Sequence, residues 1–155
     1  MLKIVERLRS DRLVSRDETG ARVDGKNQWE GVFQNDQVCL PVIRPSRGKT
    51  VIDSVMAGHQ PQIWVSDLFS AQAAHPAQQW HVCLAHQLRN CHYAMDAGDE
   101  LLAPRMKRLF LKAIALQRRH TLAASTVEQY CARLRGSLRE ILNLQPKLNF
   151  VLVYQ

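Results

Sequence analysis

Two acidic segments set fifty residues apart carry the chemistry this chain could do. Leu13-Val14-Ser15-Arg16-Asp17-Glu18-Thr19-Gly20 places Asp17 just past a short apolar run, and Ile63-Trp64-Val65-Ser66-Asp67-Leu68-Phe69-Ser70 does the same for Asp67. A carboxylate at the end of a buried strand is held at the rim of a sheet. A second one on a neighbouring strand can share a divalent cation with it. Such oxygen donors suit hard cations such as Mg2+. Two of these ions about 3.5–4 Å apart clamp the attacking and leaving oxygens of phosphodiester chemistry. Either aspartate alone is explained as easily by a solvated strand end or by the cap of the next helix. The pairing therefore depends on the elements that position the two residues.

Residues 1–10 read as the end of a helix, and a three-stranded meander follows. Its first strand is short, Arg12–Asp17; Asp24-Gly25 is a turn signal, and Trp29–Gln34 pairs with Val38–Arg44 across Asn35-Asp36. Lys49–Ala57 is helical and ends at Gly58, with Ser46 as a candidate cap. Ile63–Ser66 is a strand, Phe69–Ala74 a short helix and Trp80–Leu84 a further strand. This order fits an incomplete α/β mixed sheet of the ribonuclease H-like kind, in which the first and fourth strands lie side by side and bring Asp17 to Asp67. An all-helical insertion segment follows. Ala85–Ala97 is one helix, Pro104 opens the next, and Ser125-Thr126-Val127-Glu128 has capping-box spacing for a third running to about Leu144, with Tyr130, Leu134, Leu138, Ile141 and Leu142 inward. The expected divisions are 1–97, a partial catalytic core, 98–146, the helical insertion, and 147–155, a tail.

With 155 residues, 46% hydrophobic and 23% charged, the chain is long enough to bury a core. Its net charge of +7 favours a polyanionic partner, because basic surface releases the counterions condensed on nucleic acid. No continuous apolar leader or membrane span is present in the sequence, and Cys39, Cys83, Cys91 and Cys131 form no paired framework. The expectation is a soluble cytoplasmic protein with no membrane partner.

Between Arg105 and Arg139 nine Lys or Arg face a single acid, Glu128. Arg105, Lys107, Arg108, Lys112, Arg118 and Arg119 are candidates for contact with a DNA backbone. So are His86 and Arg89, which are three apart on one helix. His81, Cys83, His86, Cys91 and His92 form the densest soft-ligand cluster, but their spacing matches no standard zinc site. Arg44-Pro45-Ser46-Arg47-Gly48-Lys49 lacks the spacing of a nucleotide-binding phosphate loop and reads as a strand-to-helix turn.

Taken together, these blocks resemble the transposases of the insertion-sequence sixty-six family, a branch of the acidic-triad (Asp-Asp-Glu) group. The resemblance rests on Asp17-Glu18-Thr19, Trp29-Glu30-Gly31-Val32-Phe33-Gln34-Asn35-Asp36 and Val42-Ile43-Arg44-Pro45-Ser46-Arg47-Gly48. It continues through Ile63-Trp64-Val65-Ser66-Asp67, Val82-Cys83-Leu84-Ala85-His86-Gln87-Leu88-Arg89, Ala97-Gly98-Asp99, Ala103-Pro104-Arg105-Met106-Lys107 and Leu144-Gln145-Pro146. It implies a ribonuclease H-like nuclease that cuts and joins DNA at transposon ends with two Mg2+ ions. Asp17 and Asp67 match the first and second acids, as metal ligands and catalytic residues. The family's third acid lies in an Asn-Asn-x-x-Glu-Arg block that this sequence lacks. The expectation is thus a truncated transposase, inactive alone, whose partners are transposon-end DNA and a further copy or the full-length enzyme. The alternative is a non-catalytic remnant that binds DNA or the transposase through its basic helices. Arg16 stands where the family has a small residue; it would either pair with Asp17 or point to solvent.

Overall fold

The computed structural model describes residues 2–119 and 121–144, so the expected tail at 147–155 lies outside the described residues. The chain divides into two compact units between Cys83 and Leu84. The first opens with helix α1 (Leu2–Ser10), followed by strands β1 (Leu13–Val23), β2 (Lys26–Gln34) and β3 (Cys39–Arg44). Helix α2 (Lys49–Met56), strand β4 (Ile63–Ser66), the single turn α3 (Ser70–Ala73) and strand β5 (Gln79–Val82) complete it. The strands lie in the order β3-β2-β1-β4-β5. The β1–β2 and β2–β3 pairs are antiparallel, while β1–β4 and β4–β5 are parallel. The first and fourth strands are neighbours, as the element order suggests.

Strand alternation sends Val14, Phe33, Leu40, Val42 and Trp64 into one core, which Leu8 of α1 and Ile52, Val55 and Met56 of α2 close. Helix α2 buries Val51, Ile52, Val55 and Met56, the spacing of a single apolar stripe. It ends where Ala57 and Gly58 both take positive φ, at 46° and 81°. The Arg9 Nε donates to the Val55 carbonyl at 2.8 Å and so ties α1 to the end of α2.

The first strand is longer than its apolar run predicts. It continues to Val23, pairs with β2 down to Lys26, and reverses through Asp24 and Gly25 at φ 49° and 74°. Two consecutive positive-φ residues make the turn whose twist matches a hairpin. The outer part of this ladder is largely exposed on both faces, so no hydrophobic alternation marks it in the sequence. The β2–β3 reversal is fixed by Asn35, whose Oδ1 accepts the N–H groups of Gln37 and Val38 at 2.9 and 2.8 Å. Ser46 does not cap α2. Gly48 is the N-cap, and the Ser46 Oγ accepts the Gly48 N–H at 3.1 Å, shaping the turn before the helix.

The second unit contains α4 (Leu84–Asp96), α5 (Leu102–Gln117) and α6 (Ala124–Leu142), with α5 packed against both others. Cys91, Ala94 and Ala103 form its small core together with Met106 and Phe110. Asp99 organises the start of α5. Its Oδ1 accepts the N–H groups of Leu101 and Leu102, both at 2.9 Å, and its Oδ2 that of Ala103 at 3.0 Å. Pro104 is therefore the third residue of the helix rather than its first. It needs no partner because it has no N–H. The Ser125 capping box is not formed. The helix begins two residues earlier, with Ala123 as N-cap and no side-chain cap bond, which leaves Ser125 inside the first turn. Leu142 is 63% exposed rather than inward, while Ile141 is buried.

Burial opposes ionisation of Asp99, but its three backbone N–H bonds together outweigh that effect and hold the carboxyl below its ordinary pKa. Asp99→Ala is expected to cost about 2 kcal/mol, the upper end for a lost cap. The readout is faster amide exchange at Leu101–Ala103 and a lower melting temperature by circular dichroism. Since the folded pKa is depressed, the contribution is fully present above about pH 3.9 and fades as pH falls through the folded value. Unchanged exchange at those amides would count against the assignment.

Candidate active site and basic helices

The β1–β4 pairing joins Leu13 to Ile63, Val14 to Trp64 and Ser15 to Val65. The same offset of fifty relates Asp17 to Asp67, which stands one residue past the end of β4. The two carboxylates thus occupy matching positions on adjacent parallel strands, at the end of the shorter one. Asp17 is exposed and Asp67 half-buried. The Asp17 Oδ1 accepts the Glu18 N–H at 2.8 Å, and the Asp67 Oδ1 accepts the Phe69 N–H at 2.9 Å. Both acids are therefore oriented by their own backbone. Two carboxylates form a donor set suited to Mg2+, which commonly binds through one or two of them and keeps waters or substrate phosphates. Among the described residues no group of three or more His, Cys, Asp or Glu is gathered to hold a metal ion.

Arg16 neither pairs closely with Asp17 nor reaches solvent. Alternation along β1 puts it with Val14 and Glu18 on the face opposite Asp17, and it is only 3% exposed. Its Nη1 lies 2.9 Å from Glu18 Oε2, and its guanidinium carbon 5.3 Å from the centroid of the Phe33 ring. The same Glu18 carboxylate accepts a hydrogen bond from Gln72 Nε2 of α3. Gln72 is fully buried, and its carbonyl accepts the Trp64 indole N–H at 3.0 Å. A chain of polar contacts thus links β1, α3 and β4 directly behind the two aspartates. Desolvation dominates this ion pair. Burial raises the Glu18 pKa and lowers that of Arg16, with their mutual attraction recovering only part of the loss.

Arg47, from the turn after β3, completes the corner. Its Nη1 is 3.8 Å from Glu18 Oε1, and its guanidinium carbon lies 4.4 Å from the Trp29 ring centroid and 4.1 Å from that of Phe69. Sequence reasoning overlooked Glu18, Gln72 and Arg47 as parts of this corner. Alternation alone flags Glu18, because a strand that turns Asp17 outward must turn its neighbour the other way. Nothing local flags Gln72, fifty-four positions from Glu18.

The other predicted contact residues lie in the second unit. His86 and Arg89 are on α4, half-buried and exposed respectively. Arg105, Lys107, Arg108 and Lys112 are on α5, and Arg118 and Arg119 just past its end. The structure sorts these cations. Lys112, Arg119 and Arg133 line a groove of about 360 Å³ between α5 and α6, and Arg105, Arg108 and Lys112 line the adjoining one with Glu140. Lys107 instead lies with its Nζ 3.4 Å from His92 Nδ1. Cys91 is packed in the small core, where burial raises its thiol pKa.

A family model described as "Transposase IS66 family" matches residues 1–146. No curated protein and no solved structure matches the chain.

Proposed function

The chain belongs to the IS66 transposase family, and on that premise we propose that its first unit is a ribonuclease H-like DNA-processing core built around Asp17 and Asp67. The observation that carries this reading is the parallel β1–β4 register, whose offset matches the spacing of the two acids. The strand order β3-β2-β1-β4-β5 supports the fold assignment. Asp17 and Asp67 would hold the divalent cation, with Mg2+ the expected ion. When bound, such an ion neutralises phosphate charge and lowers the pKa of a coordinated water or hydroxyl. The chain's own part is positional. The backbone N–H of Glu18 and that of Phe69 orient the two carboxylates, and the Arg16–Glu18–Gln72 contacts brace the strands beneath them.

The sequence carries no Asn-Asn-x-x-Glu-Arg block, so on this reading it binds metal and DNA, and strand cleavage requires a third carboxylate from elsewhere. A second reading, DNA binding without catalysis, draws on the α5–α6 grooves lined by Lys112, Arg119 and Arg133, and by Arg105 and Arg108. Phosphate neutralisation by such side chains needs no metal.

Mn2+ titration followed by electron paramagnetic resonance separates the two. Asp17→Asn and Asp67→Asn are each expected to weaken Mn2+ binding at least about tenfold, the loss that even an outer-shell partner produces. Equal Mn2+ affinity in the double variant would sink the metal-site reading. DNA binding that persists in that variant and in EDTA would favour the second.

A further inference from the structure

We propose that Arg47 receives a phosphate of the bound nucleic-acid strand beside the Asp17–Asp67 pair; the inference rests on reading this corner as a nucleic-acid site. Asp17 and Asp67 carry negative charge at this corner, with Glu18 on the opposite face of β1, and any phosphate approaching the two aspartates meets repulsion unless a cation faces it. Of the two guanidiniums there, Arg16 is closed off by burial and its bond to Glu18. Arg47 is placed differently, with a side chain 42% exposed and a loose 3.8 Å approach to Glu18. A guanidinium has five N–H donors, so this one approach leaves most of its edge for a ligand.

The rings of Trp29 and Phe69 pack against the same guanidinium and restrict its plane. A planar edge held in advance is the arrangement that matches two phosphate oxygens, and less side-chain entropy is lost when they arrive. Position supports the assignment. Phe69, whose ring lies against Arg47, donates its backbone N–H to the Asp67 carboxylate, so the cation and the second acid both contact one residue. Arg47 would thus hold the strand against the acidic pair. It is a positioning residue rather than a proton carrier.

The test uses the full chain and a short fluorescein-labelled duplex, with anisotropy recorded across a salt series in Mg2+. Arg47→Met is expected to weaken binding about tenfold, the loss of one charge-assisted contact. It should also lower the slope of log affinity against log salt by about 0.9, one phosphate fewer. Arg47→Lys retains the charge without the planar fork and should recover the slope but only part of the affinity. Mn2+ affinity should be retained or rise in Arg47→Met, since the lost charge is positive. Near-ultraviolet circular dichroism checks that each variant is folded. An unchanged slope in a folded Arg47→Met, or a fall in Mn2+ affinity together with DNA affinity, would overturn the proposal in favour of a structural clamp. If wild type binds no Mn2+ yet Arg47→Met still loses the slope, the metal-site reading fails while this one stands.

Discussion

Glu18→Ala is expected to destabilise the sheet unit by about 3–5 kcal/mol, the cost of removing one partner from a buried ion pair. Its side chain is 4% exposed and answers both the Arg16 guanidinium and the Gln72 amide. Alanine would leave the Arg16 charge buried with no carboxylate, and Gln72 without its acceptor. The double replacement Arg16→Met/Glu18→Leu should recover most of the loss, because desolvation of the two charges exceeds their attraction and apolar groups of similar size avoid it. Urea unfolding followed by tryptophan fluorescence gives the comparison. A single variant within about 1 kcal/mol of wild type, the scale of an exposed pair, would remove the corner's claim to be a structural hub.

Trp64→Ala should have a comparable effect, about 3–5 kcal/mol, from a buried aromatic whose site cannot collapse around alanine. Trp64 is fully buried. Its ring lies tilted against those of His75 and Phe33, with centroids 4.4 and 6.5 Å away, and its N–H donates to the Gln72 carbonyl. A domain stable by only about 5–15 kcal/mol loses a large part of its margin. Because Trp64 stands three residues before Asp67 on the same short segment, metal binding should weaken with stability. Trp64→Phe keeps most of the packing and deletes the indole donor. It should cost about 0.5–1.5 kcal/mol, the worth of one lost hydrogen bond, because the Gln72 carbonyl still accepts the His75 N–H at 3.2 Å. Thermal unfolding of the three proteins should rank them wild type, phenylalanine, alanine. Any other order would mean that the core closes around the gap.

The ranking bears on function because the polar chain from Trp64 through Gln72 to Glu18 lies behind the aspartates rather than among them. Its loss would loosen the strand ends without removing a carboxylate. Variants of Glu18 or Trp64 should therefore lose metal affinity in proportion to lost stability. Asp17→Asn and Asp67→Asn should lose it without a matching fall in melting temperature.

The amino-acid sequence by itself determined the elements and their order. Turn chemistry at Asp24-Gly25 and Asn35, the apolar stripe of α2 and the short β-branched run of β4 are local signals, each written within a few neighbouring residues. They place Asp67 just past a strand end, whereas Asp17, expected at the end of a short strand, lies within the longer β1. What local signals do not contain is how far a ladder runs once both its faces are wet, which is why β1 extends to Val23. Only the tertiary structure decided the parallel register that relates β1 to β4 at an offset of fifty, the burial of Arg16, and the meeting of Glu18 with Gln72 and Arg47. It also decided which cations of α5 line the grooves with α6. The reason is physical. A turn or stripe depends on backbone preferences within one segment, whereas a buried ion pair exists only where surfaces distant in sequence exclude water together.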